Sequence, residues 1–353
     1  MEQKPNLYSE YKLLNHFNRL VNWERGGISY PISVDFDISN KCNNRCPSCN
    51  GSRNKDSTVV SLDDAKKTLF QLKEAGINAI VLGGGGEPSC NPNLEKILGL
   101  IKENYMESAI YTNGYELSPG VINSIVNYCT WARISLDADS PKIYKRTHGM
   151  GDKPFFQVLE NISKLVDARK KNNSKIIMGT GYLIGPHSIE GVYNATRISK
   201  ELGADYIRFR PFFNLRGNRN FTAEKGKEMI NELNRCKKFE DSSFSVTYPV
   251  NRCEYETKTG DKNRSYTTCY FPDFFASITA DLKVYPCCAL KGNEKYCLGD
   301  LKKSSFKEIW VSKERKEVLD NITFKDCPNP CQFEKNIELL SAIKSQINHS
   351  NFL

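Results

Sequence analysis

The sequence predicts an α/β protein in which helices cover a parallel sheet, either barrel-like or doubly wound, followed by a small cysteine-rich domain. Between residues 29 and 211, short apolar, β-branched runs alternate with amphipathic helical patterns. Polar residues and glycines follow these runs, at the strand ends where such sheets bind ligands. The cysteines concentrate in two stretches, residues 42–49 and 269–331.

The six apolar runs are expected to be the strands of the sheet. Because each run is almost continuously apolar, we expect both faces of the sheet to be covered. The predicted strands are 31–37, 78–82, 108–112, 132–137, 176–183 and 206–210. The predicted helices are 61–76, 93–102, one from 118, 156–170 and 189–202.

The composition changes after residue 211. We expect a basic loop at 214–220 containing Arg216 and Arg219, a helix at 223–238, an exposed charged loop at 251–266, a hairpin of 275–279 with 283–285, and helices at 306–319 and 334–347. The predicted organisation is an N-terminal extension (1–28), a core (29–240), a cysteine-rich domain (241–335) and a C-terminal helix (336–353).

Composition limits the class of protein. The 353 residues carry 50 Lys+Arg against 41 Asp+Glu, and the net charge of +9 gives only a weak indication of anionic partners. No signal peptide or membrane span is expected, so we expect a cytoplasmic protein. Its 13 cysteines, an odd number, cannot all pair, and in a reducing compartment they indicate metal or cluster ligation. The sequence has no basic stripe with interleaved aromatic residues, so we do not expect it to bind nucleic acid. His148 is expected in a surface helix or loop.

The first motif is Cys42-x3-Cys46-x2-Cys49, in the loop after the first predicted strand. Three thiolates can hold three corners of one metal centre, and no nearby fourth ligand closes a zinc tetrahedron. A [4Fe-4S] cluster with three protein ligands leaves one iron open. A zinc knuckle is the alternative.

The second motif is the run Gly83–Gly86 followed by Glu87 and Pro88, at the end of the second predicted strand. Glycines let the backbone approach a ligand closely, and the adjacent carboxylate can bind an ammonium group. A plain strand-to-helix turn is the alternative.

Together these motifs resemble the radical S-adenosylmethionine (radical SAM) superfamily, and the resemblance extends to about residue 211. It implies a partial (β/α)6 TIM-like barrel in which the three cysteines hold a [4Fe-4S] cluster whose open iron is chelated by SAM. The cofactor would give a 5′-deoxyadenosyl radical that removes a substrate hydrogen, after reduction by a flavodoxin or ferredoxin-type donor. The residues at matching positions for SAM are Gly85, Gly86, Glu87, Asn113, Ser135, Asp137 and Gly181, although Ser188 stands where an acidic residue is usual. Arg208 or Arg210 would pair with the SAM carboxylate, with an anionic substrate or within a structural ion pair.

The C-terminal cysteines are similar to the SPASM/twitch extension of the same superfamily. That resemblance implies one auxiliary [4Fe-4S] cluster on Cys269, Cys287, Cys327 and Cys331, with Cys288 and Cys297 as substitute ligands or structural thiols. The full seven-cysteine pattern is incomplete here, and Leu282 stands where the pattern has glycine. A structural zinc on the same four cysteines is one alternative, and a second auxiliary cluster is another.

The resemblance implies hydrogen abstraction, and an auxiliary cluster favours oxidation or epimerisation of the substrate. The reduced cysteine count and the arginines near the barrel rim favour a small polar metabolite of sugar, aminocyclitol or nucleotide type; these arginines are Arg208, Arg210, Arg216 and Arg219. Epimerisation needs a hydrogen donor, and Cys90, just past the glycine motif, is the candidate. Maturation of a ribosomally made peptide is one alternative. A non-catalytic iron-sulfur or zinc protein is another.

Overall fold

The computed structural model describes residues 9–49, 56–212, 221–257 and 264–345. The predicted basic loop with Arg216 and Arg219 lies outside these ranges.

The core is a ten-stranded sheet in the order β10-β9-β8-β1-β2-β3-β4-β5-β6-β7. The strands are β1 Ser33–Phe36, β2 Ala79–Leu82, β3 Glu107–Thr112, β4 Cys129–Ser135, β5 Ile177–Ile184, β6 Tyr206–Pro211, β7 Ser245–Thr247, β8 Phe275–Ile278, β9 Lys283–Tyr285 and β10 Gly299–Asp300. Strands β1 to β7 pair in parallel with their sequence neighbours. The predicted α/β class with a parallel sheet is confirmed.

The helices between β1 and β7 cover one face of the sheet; of the other described α-helices, one precedes β1, one lies between β7 and β8, and three follow β10. Their bounds are α1 Phe17–Glu24, α2 Leu62–Glu74, α3 Leu94–Glu103, α4 Pro119–Tyr128, α5 Pro141–His148, α6 Asp152–Lys171, α7 Val192–Glu201, α8 Ala223–Cys236, α9 Val250–Tyr255, α10 Phe306–Val311, α11 Lys313–Asp320 and α12 Glu334–Lys344. Ser61 and Ser118 cap α2 and α4, since each hydroxyl accepts a backbone N–H at 3.1 Å. These caps explain why both starts could be predicted.

Each strand alternates between a helix-facing and an inner side chain. On β1, Val34 and Phe36 are completely buried in the core cluster that contains Leu69 of α2 and Ile97 of α3. Asp35, between them, therefore lies on the opposite, inner face. The same alternation places Tyr111, Arg133 and Arg210 on the inner faces of β3, β4 and β6.

The cysteine-rich segment is part of the same sheet. Strand β8 pairs in parallel with β1, with Ser33 opposite Phe275, and the predicted hairpin of β8 and β9 is present. Leu282 in its turn has φ +70, a backbone conformation that glycine adopts without strain. This explains why the related pattern has glycine at that position.

Two local predictions are wrong. The expected single helix at 306–319 is two helices, because Ser312 is extended and its hydroxyl caps α11 through the N–H of Arg315 at 3.0 Å. The expected exposed loop at 251–266 begins instead as helix α9, in which Arg252 and Cys253 are buried. The stretch 251–266 is polar on average, so its composition did not indicate a short helix with one buried side.

The two ends of the described chain pack on the cysteine-rich domain. The indole Nε1 of Trp23 in α1 donates to Asp273 at 2.8 Å, and Lys344 of α12 donates to the carbonyl of Trp23 at 3.0 Å. Within the ranges described, every helix is too short or too polar to cross a lipid bilayer.

Candidate active site

The three clustered cysteines lie in the loop that follows β1. Cys42 and Cys49 are exposed and Cys46 is half-buried. The N–H of Asn44 donates to Cys42 Sγ at 3.4 Å. Burial raises the pKa of Cys46 to about 12, and the neighbouring Cys49 and Cys42 add to that rise. The thiols are therefore close enough to influence one another electrostatically.

The glycine motif at the end of β2 lies directly against this loop. The N–H of Gly86 donates to Ser39 O at 2.7 Å, and that of Glu87 donates to Lys41 O at 2.9 Å. A Cβ at Gly86 would lie 2.2 Å from Lys41 O, nearer than any real side chain could approach. The sequence predicted that the glycines allow the backbone to approach a neighbouring group closely. In the structure, that neighbouring group is the cysteine loop.

Glu87 ties this motif to the next strand end. Its carboxylate is buried and accepts Thr112 Oγ1 at 2.6 Å, Asn113 N at 2.7 Å and Ser89 N at 3.1 Å. The side chain of Asn113 donates in turn to Asn43 in the cysteine loop at 2.7 Å. Burial raises the pKa of Glu87, while these three donors oppose the rise.

The ends of β4 and β5 supply the other residues matched to SAM. The backbone N–H groups of Leu136 and Asp137 both donate to Gly181 O at 3.1 Å. Asp137 has φ +48, and its Oδ1 accepts the N–H of Leu183 at 2.5 Å. Ser188, at the usually acidic position, accepts the N–H of Gly185 at 2.8 Å, so its hydroxyl closes the turn locally.

His148 is not a surface residue, and the prediction for it is wrong. Its side chain is buried at 2% exposure and stacks on Tyr144 at 4.0 Å. Its Nε2 lies 3.1 Å from Ser135 O and 3.8 Å from Asp137 Oδ2. The carbonyl of His148 accepts the N–H of Arg45 at 3.0 Å. The helix α5 therefore supports both the cysteine loop and the β4 end.

Charged residues line the inner face of the sheet, and sequence reasoning missed most of them. Arg133 of β4 is buried beside Tyr111, and burial together with Arg133 lowers the pKa of Arg210. Burial raises the pKa of Asp35 on β1 to about 7. The available signal was a charged residue inside an otherwise apolar strand, as in Ala132-Arg133-Ile134.

Asp37 and Lys291 form a buried ion pair between the core and the cysteine-rich domain. Lys291 Nζ lies 2.6 Å from Asp37 Oδ2, and Asp37 is completely buried. A Cβ at Gly84 would lie 2.5 Å from Lys291 Nζ. A residue 254 positions beyond Asp37 therefore packs against the glycine motif.

The four predicted auxiliary cysteines line one pocket. Cys269, Cys287, Cys327 and Cys331 share it with an apolar wall that includes Phe271, Phe324 and Phe333. Burial raises the pKa of Cys269 to about 12 and that of Cys327 to about 11, with Cys331 adding to both rises. The fold thus brings together thiols that are up to 62 residues apart, from Cys269 to Cys331.

The remaining thiols lie elsewhere. Cys288 faces Asp35, Lys291 and Arg210, and Gln332 Nε2 donates to its sulfur at 2.7 Å. Cys297 donates to Gly299 O at 3.4 Å. Cys90 ends a short 3-10 turn beside Cys42, where burial raises its pKa to about 11. Its role as a hydrogen donor stays a prediction.

Both sites fit iron-sulfur clusters by the chemistry of their donors. The first offers three thiols in a loop held against the glycine motif, and the second offers four thiols in an apolar pocket. Among the described residues no three His, Cys, Asp or Glu side chains are placed as ligands of a metal ion. The ligand assignments therefore depend on the shared pockets and on the family pattern.

Two family models match the chain. Residues 36–195 match the radical SAM superfamily, and residues 269–333 match the iron-sulfur cluster-binding domain called SPASM. The first match spans β1 to α7, and the second spans the cysteine pocket.

Among curated relatives, the chain is 24% identical to the mycofactocin maturase MftC of Mycobacterium ulcerans over 148 residues, which are 41% of this chain and 40% of that protein. It is 28% identical to an S-adenosylmethionine-dependent nucleotide dehydratase of a Thermoplasmatales archaeon over 157 residues, 44% of this chain and 54% of that protein. The matched part is thus about half the length of these relatives or less. Among solved structures, Streptococcus suis SuiB bound to S-adenosylmethionine has a TM-score of 0.66 at 14% identity, covering 90% of this chain and 75% of SuiB.

Proposed function

This chain belongs to the radical SAM superfamily and carries a C-terminal SPASM domain, and we propose that it oxidises or epimerises a small polar metabolite bound inside the barrel. The observation that carries the proposal is the charged inner wall between the two cysteine sites. It includes Arg133, Arg210 and Asp35, and such a wall favours a polar substrate over an apolar one.

When bound, the reduced [4Fe-4S] cluster and SAM supply a 5′-deoxyadenosyl radical that removes a hydrogen atom from the substrate. Cys42, Cys46 and Cys49 would hold this cluster, and the glycine motif would hold the amino end of SAM. Because Glu87 already accepts three hydrogen bonds, its task is to fix the strand ends against the cysteine loop. Asn113 and Asp137 orient the same rim.

The C-terminal pocket would act on the same substrate, and its nearness to the inner wall supports this. Cys288, next to Cys287, interacts electrostatically with Asp35 on β1 and with Arg210 on β6. An oxidation would send the second electron to the auxiliary cluster and a proton to a base. Asp35 is suited to take that proton, because burial brings its pKa to about 7. An external flavodoxin or ferredoxin would supply the electron for SAM cleavage.

The test is anaerobic reconstitution of the full chain with iron and sulfide. We expect about eight irons per chain, from two four-iron clusters, and 5′-deoxyadenosine from SAM plus dithionite. The variant C42A/C46A/C49A should make none. The matched control is Cys129→Ala, which removes a buried thiol of β4 outside both sites. Formation of 5′-deoxyadenosine by the triple variant would contradict the assignment.

Maturation of a ribosomally made peptide is the second candidate. It is supported by MftC, which is named a maturase, and by SuiB, which has also been solved with its precursor peptide SuiA at a TM-score of 0.66. The genes next to this one separate the two candidates. A short precursor reading frame would favour the peptide, and sugar or nucleotide biosynthesis genes would favour the metabolite.

A further inference from the structure

Two arginines on the inner wall lie on β4 and β6, on either side of β5. Strand β5 has the glycines Gly179 and Gly181 on this face. Arg133 on β4 pairs with Gly179 of β5, and Arg210 on β6 pairs with Leu183. A Cβ placed at Gly181 would lie 3.6 Å from Arg133 Cδ and 3.7 Å from its Nε. The side chain of Arg133 therefore extends across Gly181, in the direction of β6.

Both guanidinium groups are held by neighbouring side chains, and Arg133 is also buried while Arg210 is half-buried. That of Arg133 lies over the ring of Tyr111, with 4.2 Å between its central carbon and the ring centroid. The residue is 7% exposed. Arg210 Nη1 donates to Gln332 Oε1 of the cysteine-rich domain at 3.4 Å. Such preorganised donors lose little freedom when an anion binds.

Charged groups of both signs face this pair. Burial lowers the pKa of Arg210, and Arg133 lowers it further, while Asp137 acts in the opposite direction. The Asp137 carboxylate also accepts a hydrogen bond from the N–H of Leu183 and lies near His148. Arg252 of α9 adds a third cation near Cys331, where it faces the predicted cluster. Asp137 interacts with both guanidiniums, and Asp35 lies on the same wall near Cys288.

We propose that Arg133 and Arg210 together bind an anionic group of the substrate, a carboxylate or a phosphate, on the inner wall between β4 and β6. This inference rests on the proposed function, because it places the substrate between the two cysteine sites. The planar forks of the two guanidiniums match the oxygens of either group. Burial lowers the pKa of Arg210 and the repulsion between the two guanidiniums lowers it further; the anion would offset that repulsion.

The experiment titrates the reconstituted, anaerobic full chain with inorganic phosphate and, separately, with succinate, against potassium chloride at equal ionic strength. Binding to the native state raises the melting temperature with ligand concentration. At least one of the two anions should stabilise the wild type, and both R133Q and R210Q should bind it about tenfold more weakly or worse. The matched control is R197Q, which removes an exposed arginine paired with Glu201 on α7. R197Q should bind like the wild type.

R133K keeps the positive charge and much of the packing on Tyr111, so it covers the case in which R133Q fails to fold. Its binding should fall between those of the wild type and R210Q. No stabilisation of the wild type by either anion would overturn the proposal. Equal stabilisation of R210Q and wild type would also overturn it, since the anion would then bind elsewhere.

A saturating concentration of SAM separates the substrate from the cofactor as the source of the anion. If SAM abolishes the anion effect and R210Q weakens SAM binding, the pair holds the SAM carboxylate and the substrate assignment is wrong. An anion effect that persists with SAM supports it. Failure of the wild type to form 5′-deoxyadenosine would refute the proposed function instead, and it is measured without these anions.

Discussion

The three cysteines after β1 lie within eight residues in a partly exposed loop, with the amides of Asn43, Asn44 and Asn113 around them. The four C-terminal cysteines come from separate segments and line a pocket walled by aromatic rings, such as Phe271 stacked on Phe333 at 4.1 Å. Among the described residues, the first arrangement leaves Cys42 and Cys49 exposed. The second closes its thiols in by packing. Under the proposed function, the more exposed site would bind a reactant and the enclosed one would pass electrons.

The variant C327A/C331A removes half of the closed site and tests whether the two sites are separable. We expect iron to fall from about eight to about four per chain, while 5′-deoxyadenosine is still formed from SAM. Iron analysis and chromatography measure the two quantities. Loss of 5′-deoxyadenosine together with the iron would mean that the closed site is needed to maintain the open one.

Lys291→Met breaks the ion pair that joins the two regions. It leaves Asp37 as a completely buried, uncompensated carboxylate, so the free energy of unfolding should fall by about 3–5 kcal/mol. Denaturant unfolding measures the loss, and D37N/K291M should recover most of it. The control is Lys283→Met, whose pair with the exposed Glu294 is worth less than about 1 kcal/mol. An equal effect of the two single variants would refute the assigned role of burial.

Gly86→Ala tests whether the open site depends on backbone contact. The new Cβ would lie 2.2 Å from Lys41 O, and we expect a loss of about 1–3 kcal/mol in unfolding free energy, with weaker SAM binding by calorimetry. Gly99→Ala is the matched control, because nothing lies within 4 Å of its added Cβ in helix α3. It should stabilise by about 0.5–1 kcal/mol. Unchanged SAM binding in G86A would contradict the dependence of this site on the backbone contact at Gly86.

His148 gives the open region a pH dependence that the closed pocket does not share. Burial lowers its pKa, so below about pH 6.5 the unfolded chain binds the proton more readily than the folded chain. Stability is therefore lost as the pH falls through that value, at up to about 1.4 kcal/mol per pH unit. Unfolding between pH 7.5 and 5.5 should show a smaller loss in His148→Gln than in the wild type. Equal losses would exclude His148 as the source.

The sequence predicted what depends on local pattern. The six strands β1 to β6 followed from apolar runs, and both cysteine groups and the glycine motif were visible from spacing. Contacts between residues that are far apart in the sequence and meet only in the folded sheet could not be predicted from local pattern. Lys291 is a single lysine in a polar stretch, and nothing local indicates that it pairs with Asp37. Arg252 was missed because its short helix has a polar average composition.

The pairing of β1 with β8 also affects the order in which the chain can fold during synthesis. Ser33 leaves the ribosome well before its partner Phe275, which lies 242 residues (275 − 33) further along the chain. At typical elongation rates this takes on the order of ten seconds to a minute. For that time one side of β1 has no neighbouring strand, and an unpaired edge is a template for aggregation. We therefore expect yields in the cell to depend on chaperones and on slower growth.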